Sequence, residues 1–352
     1  MPFAPLIGHE SLRARLDEQV RRGTLASGIL FTGPAGIGKQ RLALWLAQRL
    51  LCEEPGAPCG ACQHCRFVLE GTHPDLLWVF PRPNLKDSDA APDEVAADYA
   101  EAVAERVAAG GVYTRPDGSA GIFRYTTRLL VQRASRAPAL ARRKVFVVGE
   151  ADRMVPQASS PEAANMFLKL LEEPPASTFL LLTSSEPGAL LPTIRSRVLE
   201  VRVRPLPPAG VRSFLALPAA APLAAQGTVD ELVALSHGAP GAVVDAAPRA
   251  AAVRRARTLL DAAVQHRDRI YSVAYAQGAA GARGGFSDAL DALTELVYAR
   301  TRAAATSGDE RTAGAGERAM VAIEEAKRDA ERNATPQLVA FRLLTRLSET
   351  LT

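Results

Sequence analysis

The segment from Gly33 to Gln40, GPAGIGKQ, has the spacing of a loop that binds phosphate groups. A short apolar run, GILF, precedes it and apolar residues at helical spacing follow it, and strand, glycine loop and helix is the context in which this motif holds nucleotides. Glycines let the backbone fold closely around phosphate oxygens, the helix N-terminus directs its free N–H groups at them, and a lysine adds positive charge. The predicted phosphate-binding residues are Gly33, Gly36, Gly38, Lys39 and Gln40.

The last position of this loop departs from the motif. A serine or threonine there holds Mg²⁺ from one side, and a carboxylate at the end of a neighbouring strand holds it from the other, whereas this chain has Gln40. The neighbouring strand is predicted in KVFVVGEADRM, where Gly149 replaces the aspartate and Glu150 follows at the position that polarises water. Two losses at one metal site predict weak or absent hydrolysis, and nucleotide binding stays open.

All four cysteines lie in one short segment, CEEPGAPCGACQHC. Two overlapping C-x₂-C steps and a further cysteine one loop away give four thiolates that can close around one ion, and tetrahedral zinc is the commonest solution. Such a closed site has no position for water, so its role would be structural; the alternative is a vestigial or redox cluster. The predicted ligands are Cys52, Cys59, Cys62 and Cys65, and His64 is expected to be exposed rather than a ligand.

Apolar runs alternate with helical stripes after the cysteine segment. LLWVF, VFVV and TFLLLTSS predict buried strands, and residues 124–135 and 160–175 predict helices. Strands that alternate with helices predict an α/β fold with a parallel sheet. Residues 84–121 are rich in Asp, Ala, Gly and Pro and are interpreted as an insertion that carries one amphipathic helix. Beyond the proline-rich segment at 204–210 the pattern is helical, without a heptad repeat sustained enough for a coiled coil.

Composition limits the function classes. With 352 residues, 47% of them apolar, the chain can form two or three domains with substantial cores. It has no apolar stretch long enough to span a membrane and no signal-peptide pattern, so a cytoplasmic location is expected. The formal charge of +4 does not by itself indicate a nucleic acid partner. A basic cluster at 128–144 can contact phosphates, and a solvated helix face is the alternative interpretation.

Several strings together resemble the clamp-loader ATPases of the AAA+ class. They are GPAGIGK, the four-cysteine segment, GTHPD from Gly71, LKLLEEPP from Leu168, PTIRSR ending at Arg197, and GAPGAV at 238–243. The resemblance implies three domains. These are an AAA+ P-loop domain over 1–204 with a zinc module (52–65) and an insertion (84–121), a small helical lid over 205–248, and a helical collar for ring assembly over 249–352.

The resemblance also implies a role for a subunit without a working ATP site. In this family ATP lies at interfaces between ring subunits, and the arginine of a Ser-Arg string reaches phosphates held by the neighbour. Here that arginine is Arg197, preceded by Ser196, while Val198 departs from the pattern. Such an arginine accelerates phosphoryl transfer by ~10³ to 10⁵. The arginine that active members carry near GAPGAV is absent.

The function implied is that of a clamp-loader subunit without ATPase activity of its own. It would donate Arg197 in trans while the ring opens a sliding clamp and sets it on primed DNA. The implied cofactor is structural zinc, with ATP and Mg²⁺ doubtful in its own site. The implied partners are other loader subunits, the sliding clamp and primed DNA, with no membrane.

Two alternatives stay open. An active motor ATPase of a clamp loader or a repair complex would need Gln40 to bind Mg²⁺ and Glu150 or Asp152 to replace the missing carboxylate. The other is a zinc-containing DNA-binding module with a relic nucleotide fold.

Overall fold

The chain forms two compact units, Met1–Val244 and Asp245–Thr352. They are seen in a computed structural model that describes residues 3–85, 90–112, 120–154, 162–244, 246–277, 283–331 and 334–351. The first unit combines a sheet with helices, and the described residues of the second are helical. The predicted α/β fold with a helical C-terminal region is confirmed.

A parallel sheet forms the centre of the first unit. Its strands are β1 (Gly28–Thr32), β2 (Leu76–Val79), β3 (Lys144–Val148), β4 (Thr178–Ser184) and β5 (Leu199–Arg202). They lie in the order β2-β3-β4-β1-β5, and every pairing is parallel. Every residue of β1 and β3 is buried, because helices cover both faces of the sheet. This explains why the strands appear in the sequence as continuous apolar runs.

Helices connect the strands and continue beyond β5. Those of the first unit are α1 (Glu10–Arg22), α2 (Lys39–Leu51), α3 (Gln63–Glu70), α4 (Pro92–Ala108), α5 (Arg124–Ser135), α6 (Glu162–Glu172), α7 (Pro192–Arg195), α8 (Pro208–Leu215), α9 (Ala221–Ala224), α10 (Val229–Ser236) and α11 (Gly241–Val244). The helix predicted in the insertion is α4, and α5 matches its predicted bounds. The predicted start of α6 at Ser160 lies outside the described residues.

The segment after β5 builds a small apolar core of its own. It consists of Leu206, Val211, Leu215, Ala220, Leu223, Leu232 and Val243. Helix α10 begins with a capping box, in which Thr228 and Glu231 bond each other's backbone N–H groups. The division of residues 1–248 into an AAA+ domain and a lid at 204/205 stays a prediction.

The second unit has helices α12 (Ala246–Val264), α13 (Ile270–Tyr275), α14 (Arg283–Ser307), α15 (Glu310–Glu331) and α16 (Pro336–Leu351). Helices α14 and α15 pack on each other across a turn at Gly308, and α12, α13 and α16 complete the bundle. Its core includes Phe286, Leu290, Leu293, Ile323 and Leu344. No described helix is long and apolar enough to cross a membrane.

Candidate phosphate loop, arginine and cysteine cluster

The glycine loop joins β1 to α2 at the carboxyl edge of the sheet. Strand β1 lies between β4 and β5 in the interior of the sheet, and ligands of open parallel sheets bind at this edge. Helix α2 begins directly after Gly38, whose φ of 90° is a left-handed conformation that suits glycine. The loop therefore occupies the place that the sequence predicted for it.

Lys39 is directed at its own loop. Its buried ammonium donates to the carbonyl oxygens of Gly33 and Pro34, both at 2.7 Å, and to Ser185 Oγ at 2.9 Å. An ammonium has three N–H donors, and these contacts engage all three. A phosphate group would have to replace bonds that Lys39 already makes.

The side-chain oxygen of Gln40 already accepts two hydrogen bonds and is not available to bind a metal ion. This oxygen, Oε1, accepts hydrogen bonds from Trp78 Nε1 at 3.0 Å and from an Arg106 guanidinium nitrogen at 3.2 Å. A methyl group on Gly149 would lie 2.4 Å from the same oxygen, so the amide fills the space that an aspartate would need. The Gln40 amide can therefore take this position only while residue 149 has no side chain, which links the two departures found in the sequence.

Glu150 lies beside Gly149 with a backbone φ of 50° and is buried. Its N–H donates to Thr183 Oγ1 at 3.0 Å, which ties the end of β3 to the end of β4. Ser184 Oγ accepts from the N–H of Glu186, and Ser185 Oγ from Lys39. The hydroxyl groups at the end of β4 thus stabilise the loop and the strand ends.

The segment GAPGAV lies against the glycine loop. The N–H of Gly241 donates to the carbonyl oxygen of Gly36 at 2.8 Å. A methyl group on Gly36 would lie 2.8 Å from the backbone nitrogen of Ala242, and one on Gly241 would lie 2.6 Å from Gly36 Cα. Only glycines allow this approach, so the backbone of the segment packs directly against the loop.

Arg197 follows helix α7 and is paired within its own chain. Its Nε donates to Glu172 Oε1 at 2.6 Å, and Nη2 forms an ion pair with the same carboxylate. Nη1 donates to the carbonyl oxygen of Thr193 at 2.8 Å and to Ser196 Oγ at 3.2 Å. The side chain is one-third exposed. Arg197 and Ser196 therefore lie together at the surface, and Glu172, at the end of α6, is a partner that the sequence analysis missed.

The four cysteines converge as predicted. Their Sγ atoms lie within 4.8 Å of one another, with 3.8 Å between Cys52 and Cys62 and 3.9 Å between Cys59 and Cys65. Thiolates about 2.3 Å from one tetrahedral ion lie about 3.8 Å apart, so the residues fit a metal ion. Backbone N–H groups lower the pKa of Cys59 to about 6, whereas burial raises the pKa of Cys65.

His64 is half-buried, so the expectation that it is exposed was wrong. Burial lowers the pKa of its neighbour His73 to about 4, and His73 Nδ1 accepts from the N–H of Asp75. The proton of this neutral ring is therefore on Nε2, which donates to His64 Nδ1 at 2.9 Å.

The Asp75 carboxylate accepts three N–H groups in the loop before β3, from Ala139, Leu140 and Ala141. Through His73 and Asp75, the string GTHPD thus connects the cysteine segment to the loop that precedes β3.

Comparison with known proteins identifies the family. The model of the family described as DNA polymerase III, delta subunit, matches residues 8–207, which is more than half of the chain. The chain belongs to this family. The family resemblance inferred from the motifs is thereby confirmed.

Several polymerase III subunits are similar to part of this chain. DNA polymerase III subunit delta' of Pseudomonas aeruginosa is 35% identical over 62% of this chain and 55% of its own length. DNA polymerase III subunit gamma/tau of Mycobacterium bovis is 34% identical over 61% of this chain and 30% of its own length. A gamma-subunit-related protein from Thermotoga maritima aligns over 96% of this chain and 99% of its own, with 16% identity and a TM-score of 0.43. The chain thus matches about half the length of the delta' relative.

Proposed function

We propose that the chain is a delta-prime-like subunit of the clamp loader of a replicative DNA polymerase III. It does not hydrolyse ATP itself, and it supplies Arg197 to ATP held by a neighbouring subunit while the sliding clamp is loaded on primed DNA. The observation that carries the proposal is the phosphate loop, whose carbonyl oxygens accept from Lys39 and Gly241 and whose Gln40 oxygen accepts from Trp78, while Arg197 lies at the surface. The names of the relatives, delta' and gamma/tau, support it.

In this proposal residues 205–248 are the lid and residues 249–352 the collar that joins the ring. The other loader subunits, the clamp and DNA are its partners, and the cytoplasm is its location. The cysteine cluster holds structural zinc, with Cys52, Cys59, Cys62 and Cys65 as ligands. An active motor is disfavoured because the Gln40 oxygen already accepts two hydrogen bonds and Gly149 offers no carboxylate.

The test is Arg197→Ala in a reconstituted loader, measured as ATP turnover stimulated by clamp and primed DNA. We expect turnover at the site that receives the arginine to fall by about 10³-fold, while the ring still assembles. Arg195→Ala is the matched control, since Arg195 is an exposed arginine two residues before Arg197, at the end of α7. Unchanged turnover with Arg197→Ala would overturn the proposed role.

The isolated protein gives the complementary measurement. We expect no ATP turnover with Mg²⁺, with or without primed DNA, above that of Lys39→Ala. Turnover that Lys39→Ala abolishes would show that Gln40 and Gly149 are tolerated and would favour the motor ATPase.

A further inference from the structure

Helices α1 and α2 pack on each other, and the charges along their contact are not matched throughout. On α2, Arg41, Trp45 and Arg49 are spaced four residues apart and share one face, and Arg13 and Asp17 of α1 have the same spacing. Arg49 is paired with the carboxylate of Asp17. One or two turns away, the partner near Arg41 is a second arginine, Arg13.

Arg41 is a cation without a counter-ion. Its Cζ lies 5.3 Å from the ring centroid of Phe3, and its Nε donates to the carbonyl oxygen of Ala4 at 2.9 Å. In the described part of the chain, no carboxylate pairs with Arg41 and its Nη groups make no hydrogen bond. Burial and repulsion from Arg13 lower the pKa of Arg41 to about 10, so the side chain is still charged at neutral pH.

Arg13 and Trp45 provide donors that have no acceptor. The Cζ of Arg13 lies 4.9 Å from the centroid of the Trp45 ring, and Trp45 is only 7% exposed. Arg13 Nε and Trp45 Nε1 are both buried, and neither has a hydrogen-bond partner among the described residues. The contact of a guanidinium with a ring face leaves its in-plane N–H groups unbonded, and a buried donor without an acceptor is costly.

An oxyanion is the group that meets both requirements. Water accepts hydrogen bonds, but it does not neutralise two neighbouring positive charges. The planar fork of a guanidinium matches two oxygens of a phosphate group, and a pair of arginines matches its double negative charge. Arg13 and Arg41 are half-buried, so a ligand from solvent can reach them, and the partial exclusion of water strengthens the attraction.

We propose that Arg13 and Arg41 form a binding site for a phosphate-bearing small molecule at the contact of α1 with α2. The site uses neither Lys39 nor Gln40, whose side chains are engaged within and beside the glycine loop. It does not rest on the proposed function. Failure of the Arg197 role would therefore leave this site standing, and failure of this site would leave that role untouched.

The first test uses the unmodified full-length protein. Inorganic pyrophosphate and ADP are titrated by calorimetry without Mg²⁺, at an ionic strength held constant with sodium chloride, because salt screens exposed charges. We expect saturable binding of pyrophosphate at one site per chain. Equal affinity for ADP would show that phosphate alone is recognised, and tighter binding of ADP would identify a nucleotide as the ligand. No saturable binding of either compound would overturn the inference.

The second test locates the bound phosphate. Arg13→Met and Arg41→Met are compared with Arg15→Met, which removes an exposed arginine of α1 as the matched control, and thermal melting establishes that each variant is folded. We expect each of the first two to weaken pyrophosphate binding by about tenfold or more and the control to leave it unchanged. Arg13→Lys, which keeps the charge and loses the fork, should weaken binding less and replaces Arg13→Met if that variant does not fold. Unchanged affinity in a folded Arg13→Met or Arg41→Met variant would overturn the inference.

Discussion

Gln40 and Gly149 occupy one space, and this makes their effects on stability interdependent. A side chain at 149 meets the Gln40 amide at 2.4 to 2.8 Å, closer than non-bonded atoms approach, and no other residue provides the three nearest atoms. We expect Gly149→Ala to lower the free energy of unfolding by about 1–3 kcal/mol, because the Gln40 amide has to move away and lose its hydrogen bonds to Trp78 and Arg106. Urea denaturation of the purified protein measures it.

The matched background is Gln40→Ser, whose shorter side chain leaves room for the methyl group. There Gly149→Ala should cost little, so the double-mutant cycle should give a coupling energy of about 0.5–3 kcal/mol. Strictly additive effects would contradict the shared space. Gln40→Ser alone also removes the acceptor of Trp78 and Arg106, and the cycle cancels that cost.

The sequence predicted which residues of the metal site are lost, because motif positions can be counted. It could not show that the two losses share one space, since the Gln40 amide reaches Gly149 only after α2 and β3 pack. The contact of Arg106 with Gln40 could not be predicted, because the two residues are 66 positions apart and Arg106 lies in a weakly patterned insertion. Lys39 was predicted to face phosphates, and its contacts with Gly33, Pro34 and Ser185 depend on a loop shape that no motif encodes.

The elements were more predictable than their contacts. Apolar runs located β3 and β4, and the amphipathic pattern within residues 84–121 located α4, because burial imposes a period that the sequence retains. The strand order depends on crossovers between distant parts of the chain, which no local sequence pattern predicts. The contact of GAPGAV with Gly36 depends on the same crossovers. The sequence showed Asp75 only as part of the string GTHPD. The three hydrogen bonds that its carboxylate accepts come from residues 139–141, which are distant in the sequence.

The cysteine cluster joins α2 to α3 and predicts a stability that depends on zinc. Cys52 follows the last residue of α2, and Cys62 caps the first turn of α3. Because a metal that binds only the folded state adds its binding free energy to folding, Cys59→Ser/Cys62→Ser should lose zinc and lower the melting temperature. Zinc content by mass spectrometry and thermal melting measure the two effects.

The control for this pair is His64→Ala, which changes a neighbour of the cluster that is not a predicted ligand. It should keep its zinc, although it loses the bond to His73. A metal-free native protein that melts at the same temperature as the cysteine variant would refute the zinc site. Loss of zinc from His64→Ala would show that the ligand set is not the four cysteines.

In the proposed ring, Arg197 would have to exchange partners before it could serve another subunit. Its Nε and Nη2 are on Glu172, and its Nη1 is on Thr193 and Ser196, so every guanidinium nitrogen has a partner in its own chain. A bidentate contact with a phosphate needs two parallel N–H donors, which the Glu172 edge would have to release. In the proposed role, the carboxylate of Glu172 would therefore compete with the neighbour's phosphate for the same arginine.

Glu172→Gln should ease this exchange. The ion pair is partly exposed and such pairs are worth about 0.2–1 kcal/mol, so the ATP concentration for half-maximal turnover of the reconstituted loader should fall by up to about fivefold. Glu173→Gln is the matched control, an exposed carboxylate one residue further along, and should leave turnover unchanged. A rise in the half-maximal concentration would mean that Glu172 orients Arg197 rather than restraining it. In the Arg197→Ala background Glu172→Gln should have no effect, because the competition acts only through the guanidinium.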